Sequence, residues 1–62
     1  MEFMIGDTVI DTQRKKAVYI CGVIDGSAPT IYVVDNYEEI YLQKEENIIE
    51  YDKYWFDENG GA

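Results

Sequence analysis

The chain has one cysteine, Cys21, and no histidine. It therefore contains no pair of residues for an internal disulfide and lacks the ligands of an ordinary zinc site. A chain of about 60 residues buries only roughly 60% of the surface that its unfolded form exposes. Without a covalent or metal staple, these 62 residues have to fold around one small apolar core. We expect a single domain over residues 1–62.

The composition is that of a folded domain. Apolar residues make up 47% of the chain and aromatic residues 15%, which is too rich for a disordered acidic tail. The longest uninterrupted apolar run, residues 17–21, is far too short to span a membrane, and Glu2 stands where a signal peptide carries positive charge. We expect a soluble, cytoplasmic protein. With no histidine as a base and no activated hydroxyl, we expect neither enzymatic activity nor a cofactor.

The charge is strongly negative and unevenly distributed. Thirteen acidic and five basic side chains give a net charge of −8. Residues 1–16 are balanced, and the acidic excess lies in residues 17–62, where Lys44 and Lys53 are the only basic residues. Such a chain repels duplex nucleic acid, whose binding depends on Lys and Arg displacing counterions. We therefore expect a basic protein as the partner, and no direct binding of nucleic acid.

Short β-branched and alternating segments predict five strands. They cover residues 8–10, 17–24, 30–35, 38–42 and 48–51. Gly22 stands where a bulge would let the second strand bend, and the polar residues 43–47 suit one 3₁₀ turn. Beyond them, residues 53–62 form an aromatic and acidic C-terminal segment whose end we expect to fray.

The order of these signals carries a resemblance to a known superfamily. Gly6-Asp7-x-Val9 is followed by Gly22-Val23, an Asp-Gly turn, Tyr32-x-Val34 and finally Glu45-Glu46-Asn47-Ile48. This order resembles the SH3-like small β-barrels, the Tudor and KOW-type modules among them. The resemblance covers roughly residues 4–52, where we expect the core of the domain. It implies an all-β fold, a small five-stranded barrel with one short 3₁₀ turn before the last strand. Such barrels bind proline-rich peptides, modified lysines or arginines, RNA or other proteins. The fold alone therefore does not indicate which of these ligands a given barrel binds.

Carboxylates and aromatic side chains in the second half of the chain are the candidate partner-binding residues. A carboxylate face steers association with a basic surface, and Trp and Tyr are favoured anchors of interfaces. Three consecutive aromatic residues cannot all point to one side of a strand, so a homodimer would give the exposed ones a partner. The other interpretation is that Trp55 or Phe56 closes the open end of the chain's own barrel. The alternative is that the acidic surface serves solubility alone. The candidates are Glu38, Glu39, Glu45, Glu46, Glu50, Asp52, Tyr54, Trp55 and Phe56.

Two weaker candidates accompany this face. The basic loop Arg14, Lys15 and Lys16 could dock a phosphate or an acidic surface, although three charges in a polar loop are usually a solvated turn. An aromatic cage for a cation could draw on four tyrosines, but tyrosines of the core or of a sheet face are the commoner case. These are Tyr19, Tyr32, Tyr37 and Tyr41. The acidic residues lack the spacing of an EF-hand loop, and we expect no metal site.

These observations favour a non-enzymatic acidic protein-binding module. We expect it to engage and inhibit a basic, nucleic-acid-binding protein, in the manner of the DNA-mimicking inhibitors that phages and mobile elements encode. The alternative is a structural or adaptor subunit that assembles through its sheet edges and aromatic tail. A third hypothesis, a barrel that contacts RNA or DNA through the basic loop, predicts binding that weakens steeply with salt.

Overall fold

The described part of the chain forms five strands and two short helical segments. The computed structural model describes residues 3–26 and 29–60. No helix in this part of the chain has the length and apolar character needed to cross a membrane. The elements are β1 (Thr8–Asp11), β2 (Lys16–Ile24), β3 (Ile31–Asp35), β4 (Ile40–Lys44), a 3₁₀ turn (Glu45–Asn47), β5 (Ile48–Glu50) and α1 (Trp55–Asn59).

All five strands belong to one antiparallel sheet with the order β4-β3-β2-β1-β5. The predicted all-β class is confirmed, as is the 3₁₀ turn before the last strand. Strands β4 and β5 are the two edges, and among the described strands the sheet does not close between them. The expectation of a closed barrel is therefore not confirmed by the strand pairing.

Strand β4 begins two residues later than the sequence predicts, because residues 36–39 form a tight turn. The side-chain oxygen of Asn36 accepts hydrogen bonds from the N–H groups of Glu38 and Glu39, both at 2.9 Å. The N–H of Asn36 in turn donates to the Glu39 carbonyl oxygen at 3.2 Å. This Asx-type bonding keeps residues 38 and 39 in the turn, and β4 then runs from Ile40 to Lys44.

The predicted irregularity at Gly22 is confirmed. The register of β2 against β3 shifts between Ile20, which faces Val34, and Gly22, which faces Val33. A Cβ atom at position 22 would lie 3.1 Å from Val33 Cγ2, so glycine allows the two strands to approach closely. The bulge bends β2 and lets the sheet curve over its buried face.

One face of the sheet carries the core. Seven buried side chains form a cluster there, and Tyr41 packs against it. Within the cluster the rings of Phe3 and Tyr32 meet edge to face, with 5.8 Å between their centroids. The N–H of Phe3 also donates to the Tyr32 hydroxyl at 3.1 Å. The core thus begins at Phe3, one residue before the predicted range. Its members are Phe3, Val9, Val18, Ile20, Tyr32, Val34 and Ile48.

A carboxylate, Asp11, is buried beside this core with an exposed fraction of 0%. One of its oxygens accepts hydrogen bonds from the N–H groups of Gln13 and Arg14, at 2.9 and 3.0 Å. The other accepts from the Tyr41 hydroxyl at 2.6 Å and from the Gln43 amide at 3.0 Å. Burial opposes ionisation, but the hydrogen bonds from Gln43, Tyr41 and the two backbone amides outweigh it, so the pKa of Asp11 is lowered.

Gln43 extends this network into the 3₁₀ turn. Its amide nitrogen also donates to the side-chain oxygen of Gln13 at 3.0 Å. Its own oxygen accepts from the Asn47 side chain and from the Lys44 N–H, both at 2.9 Å. Gln43 was expected in the polar turn but is a buried residue of β4. Burial and the bond to Asp11 also raise the pKa of Tyr41 far above its usual value.

We predict that Asp11→Asn destabilises the fold by about 1–3 kcal/mol, because an amide group replaces one oxygen that only donors face. The measurement is urea denaturation followed by circular dichroism. The lowered pKa stabilises the fold above the unfolded-state value of about 3.9, and this stabilisation is lost as the pH falls through the folded-state value.

The destabilisation caused by Asp11→Asn should therefore be largest near neutral pH and shrink towards pH 3. Glu58→Gln, which removes the same charge from an exposed position of α1, is the matched control and should change stability little. Equal effects of the two variants at neutral pH would contradict the role of Asp11.

Candidate partner-binding groove

Two of the predicted face carboxylates, Glu38 and Glu39, lie in the β3–β4 turn against the basic loop. The Arg14 guanidinium donates to the Glu39 carboxylate. The Lys16 ammonium lies 3.6 Å from a Glu38 oxygen. These carboxylates are paired within the chain and do not line the groove described below.

The basic loop is built into the fold around Asp11. The Arg14 guanidinium stacks 3.7 Å from the centroid of the Tyr41 ring, and its hydrogen bond to Glu39 raises the pKa of Arg14. Lys15 takes a positive φ of 58° at the tip, where its N–H donates to the Asp11 carbonyl oxygen at 2.8 Å. Two of the three predicted basic side chains therefore have acidic partners, which favours a structural turn over a phosphate site.

The remaining four predicted carboxylates lie together. A groove of about 660 Å³ runs along β5 between the 3₁₀ turn and α1. Glu45, Glu46, Glu50 and Asp52 all line it, and no Lys or Arg of the described residues does. Carboxylates that the sequence separates by up to seven positions thus converge on one surface.

The same groove has an apolar side. Phe3 and Ile48 are buried members of the core, while Ile49 and Trp55 are half-buried and Tyr51 is exposed. All five line the groove, together with Pro29. Of these, sequence reasoning singled out only Trp55. The sequence analysis predicted residues 48–51 only as a strand, and it could not show that β5 lies at the edge of the sheet, where Ile49 is only partly covered.

Local hydrogen bonds fix the carboxylates at the two ends of the groove. At one end, Glu45 donates its N–H to the Thr30 carbonyl oxygen at 3.1 Å, and its carboxylate accepts from the Tyr32 hydroxyl at 3.3 Å. At the other end, the Asp52 carboxylate accepts a hydrogen bond from the Tyr54 N–H at 2.9 Å. The backbone carbonyl oxygen of Asp52 accepts one from the Trp55 N–H at 3.0 Å. The turn at Asp52 therefore sets where the indole of Trp55 lies.

The C-terminal aromatic segment is a helix, which the sequence analysis did not predict. Successive residues of a helix point about 100° apart, so only Trp55 reaches the groove. Phe56 packs edge to face on Trp55 at 5.3 Å between ring centroids. Tyr54 is 64% exposed, and Lys53 Nζ lies 5.0 Å from its ring centroid. We expected residues 59–62 to fray, but Asn59 is the last residue of α1 and the Gly60 N–H donates to the Phe56 carbonyl oxygen at 2.9 Å. Residues 61 and 62 lie outside the described residues.

The four tyrosines considered for a cation cage do not converge. Tyr32 is buried in the core, and Tyr41 packs against it with its ring covered by Arg14. Tyr19 faces Asp35 on the other side of the sheet, and Tyr37 is exposed in the β3–β4 turn. Within residues 3–26 and 29–60, no group of three or more Cys, Asp and Glu side chains is placed to hold a metal ion.

Comparison with known proteins adds no assignment: no protein-family model matches the chain, and neither a curated protein nor a solved structure matches it. An open groove with an apolar side and four carboxylates suits side chains that combine an apolar stem with a positive charge.

Proposed function

We propose that the protein is a non-enzymatic acidic protein-binding module whose groove engages a basic protein. The observation that carries this proposal is the convergence of Glu45, Glu46, Glu50 and Asp52 with Trp55 on one partly apolar groove that no Lys or Arg lines. A surface needed only for solubility has no reason to gather its charges around a groove with partly exposed apolar side chains.

The charge pattern supports a cationic partner. The two ion pairs within the described residues use Glu38 and Glu39, and neither involves a groove carboxylate. Four like charges around a low-dielectric groove repel each other and produce a focused negative potential. A partner that brings positive charge relieves this repulsion, and long-range attraction raises its rate of association.

The apolar side of the groove supports a protein partner rather than a small cation. Lys and Arg side chains lay their methylene stems on apolar surface and keep their charge at the rim. The half-buried indole of Trp55 offers such a stem a flat contact and the guanidinium or ammonium a cation–π interaction. We propose that the occupant is a Lys- or Arg-rich segment of the partner.

Inhibition follows if that segment is the one by which the partner binds nucleic acid. The groove carboxylates then occupy the place of phosphates, as in DNA-mimicking inhibitors of phages and mobile elements. A DNA-binding target inside the cell places the protein in the cytoplasm.

We also propose that the sheet belongs to the SH3-like class of small barrels. Its strand order, the bend at Gly22 and the 3₁₀ turn before β5 support this assignment. In this proposal the barrel is completed without backbone pairing between β4 and β5, since the described strands do not pair there.

The charge of the groove is tested by reversal. We predict that Glu46→Lys with Glu50→Lys weakens capture of a basic protein at least tenfold, because both side chains are exposed at the groove. The measurement is affinity capture from lysate with identification by mass spectrometry, and added duplex DNA should displace the captured protein.

The matched control is Asp57→Lys with Glu58→Lys. It changes the net charge by the same amount on exposed positions of α1 that do not line the groove. Equal loss of capture in both variants would show that net charge alone matters, and unchanged capture in both would remove the groove as the site.

The aromatic contribution has its own test. We predict that Trp55→Ala weakens the same complex by about 2 kcal/mol, the usual loss at an interface anchor, while the circular dichroism of the sheet is retained. Trp55 lies outside the buried core, so its removal should leave the sheet intact. Tyr54→Ala, an exposed aromatic next to it but outside the groove, is the control and should bind as the wild type does.

The second candidate function is a structural or adaptor subunit that assembles through its sheet edges and C-terminal segment. The exposed Tyr54 and the open edges of β4 and β5 favour it. This alternative predicts that removal of residues 53–62 abolishes assembly, as size-exclusion chromatography would show, and that the charge reversal in the groove has no effect.

A further inference from the structure

Strand β4 is an open edge with an apolar outward face. It is the last strand of the sheet on one side, and its Ile40 and Leu42 side chains are 65% and 60% exposed. On the same face Leu42 neighbours Val33 of β3, and Ile31 of β3 neighbours Ile24 of β2. The apolar side chains thus form a continuous surface over three strands.

The hydrogen bonds of β4 to β3 show which backbone groups remain at this edge. Just outside the strand, the Glu45 N–H donates to Thr30, and the Glu39 carbonyl oxygen accepts from Asn36. Positions 39, 41, 43 and 45 therefore bond to β3, since bonded residues alternate along an antiparallel pair. Ile40 and Leu42, between them, direct their N–H and C=O groups to the open edge.

We propose that β4 pairs antiparallel with β4 of a second copy of the chain, around a two-fold axis at Tyr41. In this register Ile40 faces Leu42 of the second copy, and Leu42 faces Ile40. Both residues direct backbone groups outward, so the two pairs supply four N–H···O=C hydrogen bonds. Their exposed side chains lie on one face and contact each other across the new strand boundary.

Charge favours this register over the one in which the two-fold axis lies at Leu42. With the axis at Tyr41, Lys44 lies beside the turn that carries Glu38 of the second copy. With the axis at Leu42 instead, Glu39 would face Glu45 of the second copy, and the like charges would repel. The alternative also needs the Lys44 N–H, which already donates to the Gln43 side chain.

Lys44 has no ion-pair partner among the described residues. Glu38 lies 3.6 Å from Lys16 of its own chain, but its side chain is 79% exposed and has room for Lys44 of the second copy as a further cation. The groove lies along β5, the opposite edge of the sheet. The proposed dimer therefore leaves the groove open and does not depend on the function proposed for it.

The first test is sedimentation equilibrium of the full chain up to about 1 mM. We expect a wild-type dimer and a monomeric Leu42→Lys variant with an unchanged circular dichroism spectrum, because this side chain is largely exposed. Met4→Lys, at a 72% exposed position outside the strands, introduces the same group and should leave the dimer intact. A wild-type protein that is monomeric at about 1 mM, or a Leu42→Lys variant that still dimerises, would overturn the proposal. The β4 edge would then be free to pair with a strand of a different protein.

The register has a separate test by charge exchange. Lys44→Glu and Glu38→Lys should each dimerise poorly alone, because each places like charges together at both ends of the paired strands. When the two variants are mixed, both ends carry opposite charges, and the heterodimer should form roughly tenfold more tightly than either homodimer. A mixture that associates no better than its components would overturn the register around Tyr41.

Discussion

The buried Asp11 carboxylate is the interaction on which the rest of this small structure depends. It accepts hydrogen bonds from two backbone N–H groups of the turn after β1. It also accepts hydrogen bonds from the Tyr41 and Gln43 side chains on the inner side of β4, and so joins the turn to this strand. In the sheet these parts are separated by β2 and β3. A buried charge without such donors would be strongly unfavourable, so the network restricts how the two ends of the sheet are placed over the core.

The orientation of β4 follows from this network. Tyr41 and Gln43 point inward because their donors serve Asp11, and Ile40 and Leu42 are consequently exposed. Hydrophobicity alone would assign the opposite sides of this strand to core and solvent. The alternation was readable from the sequence, but the choice of the buried side was not, since it depends on a carboxylate about 30 positions earlier in the chain.

The features that the sequence predicted correctly depend on interactions between residues close together in the chain, and those it missed depend on tertiary contacts. Strand content, the bend at Gly22 and the 3₁₀ turn depend on local preferences of the chain, and the sequence was sufficient for them. The place of Phe3 in the core depends on a contact with Tyr32, and α1 depends on the turn at Asp52, for which propensity gives no clear signal. At the site, composition indicated acidic and aromatic residues, but only tertiary structure separates those that line the groove from those that do not.

The structure thereby divides the acidic charge into two parts with different consequences. Around the Asp11 network, Glu38 and Glu39 compensate the basic loop, and this end of the molecule is close to neutral. The 3₁₀ turn is held by the hydrogen bond between Asn47 and Gln43, and it begins a second region. There the carboxylates gather beside partly exposed apolar surface, and among the described residues no Lys or Arg lines the groove. A net charge of −8 could serve solubility from any distribution, whereas its concentration at one groove gives the molecule a direction from which a basic partner is attracted.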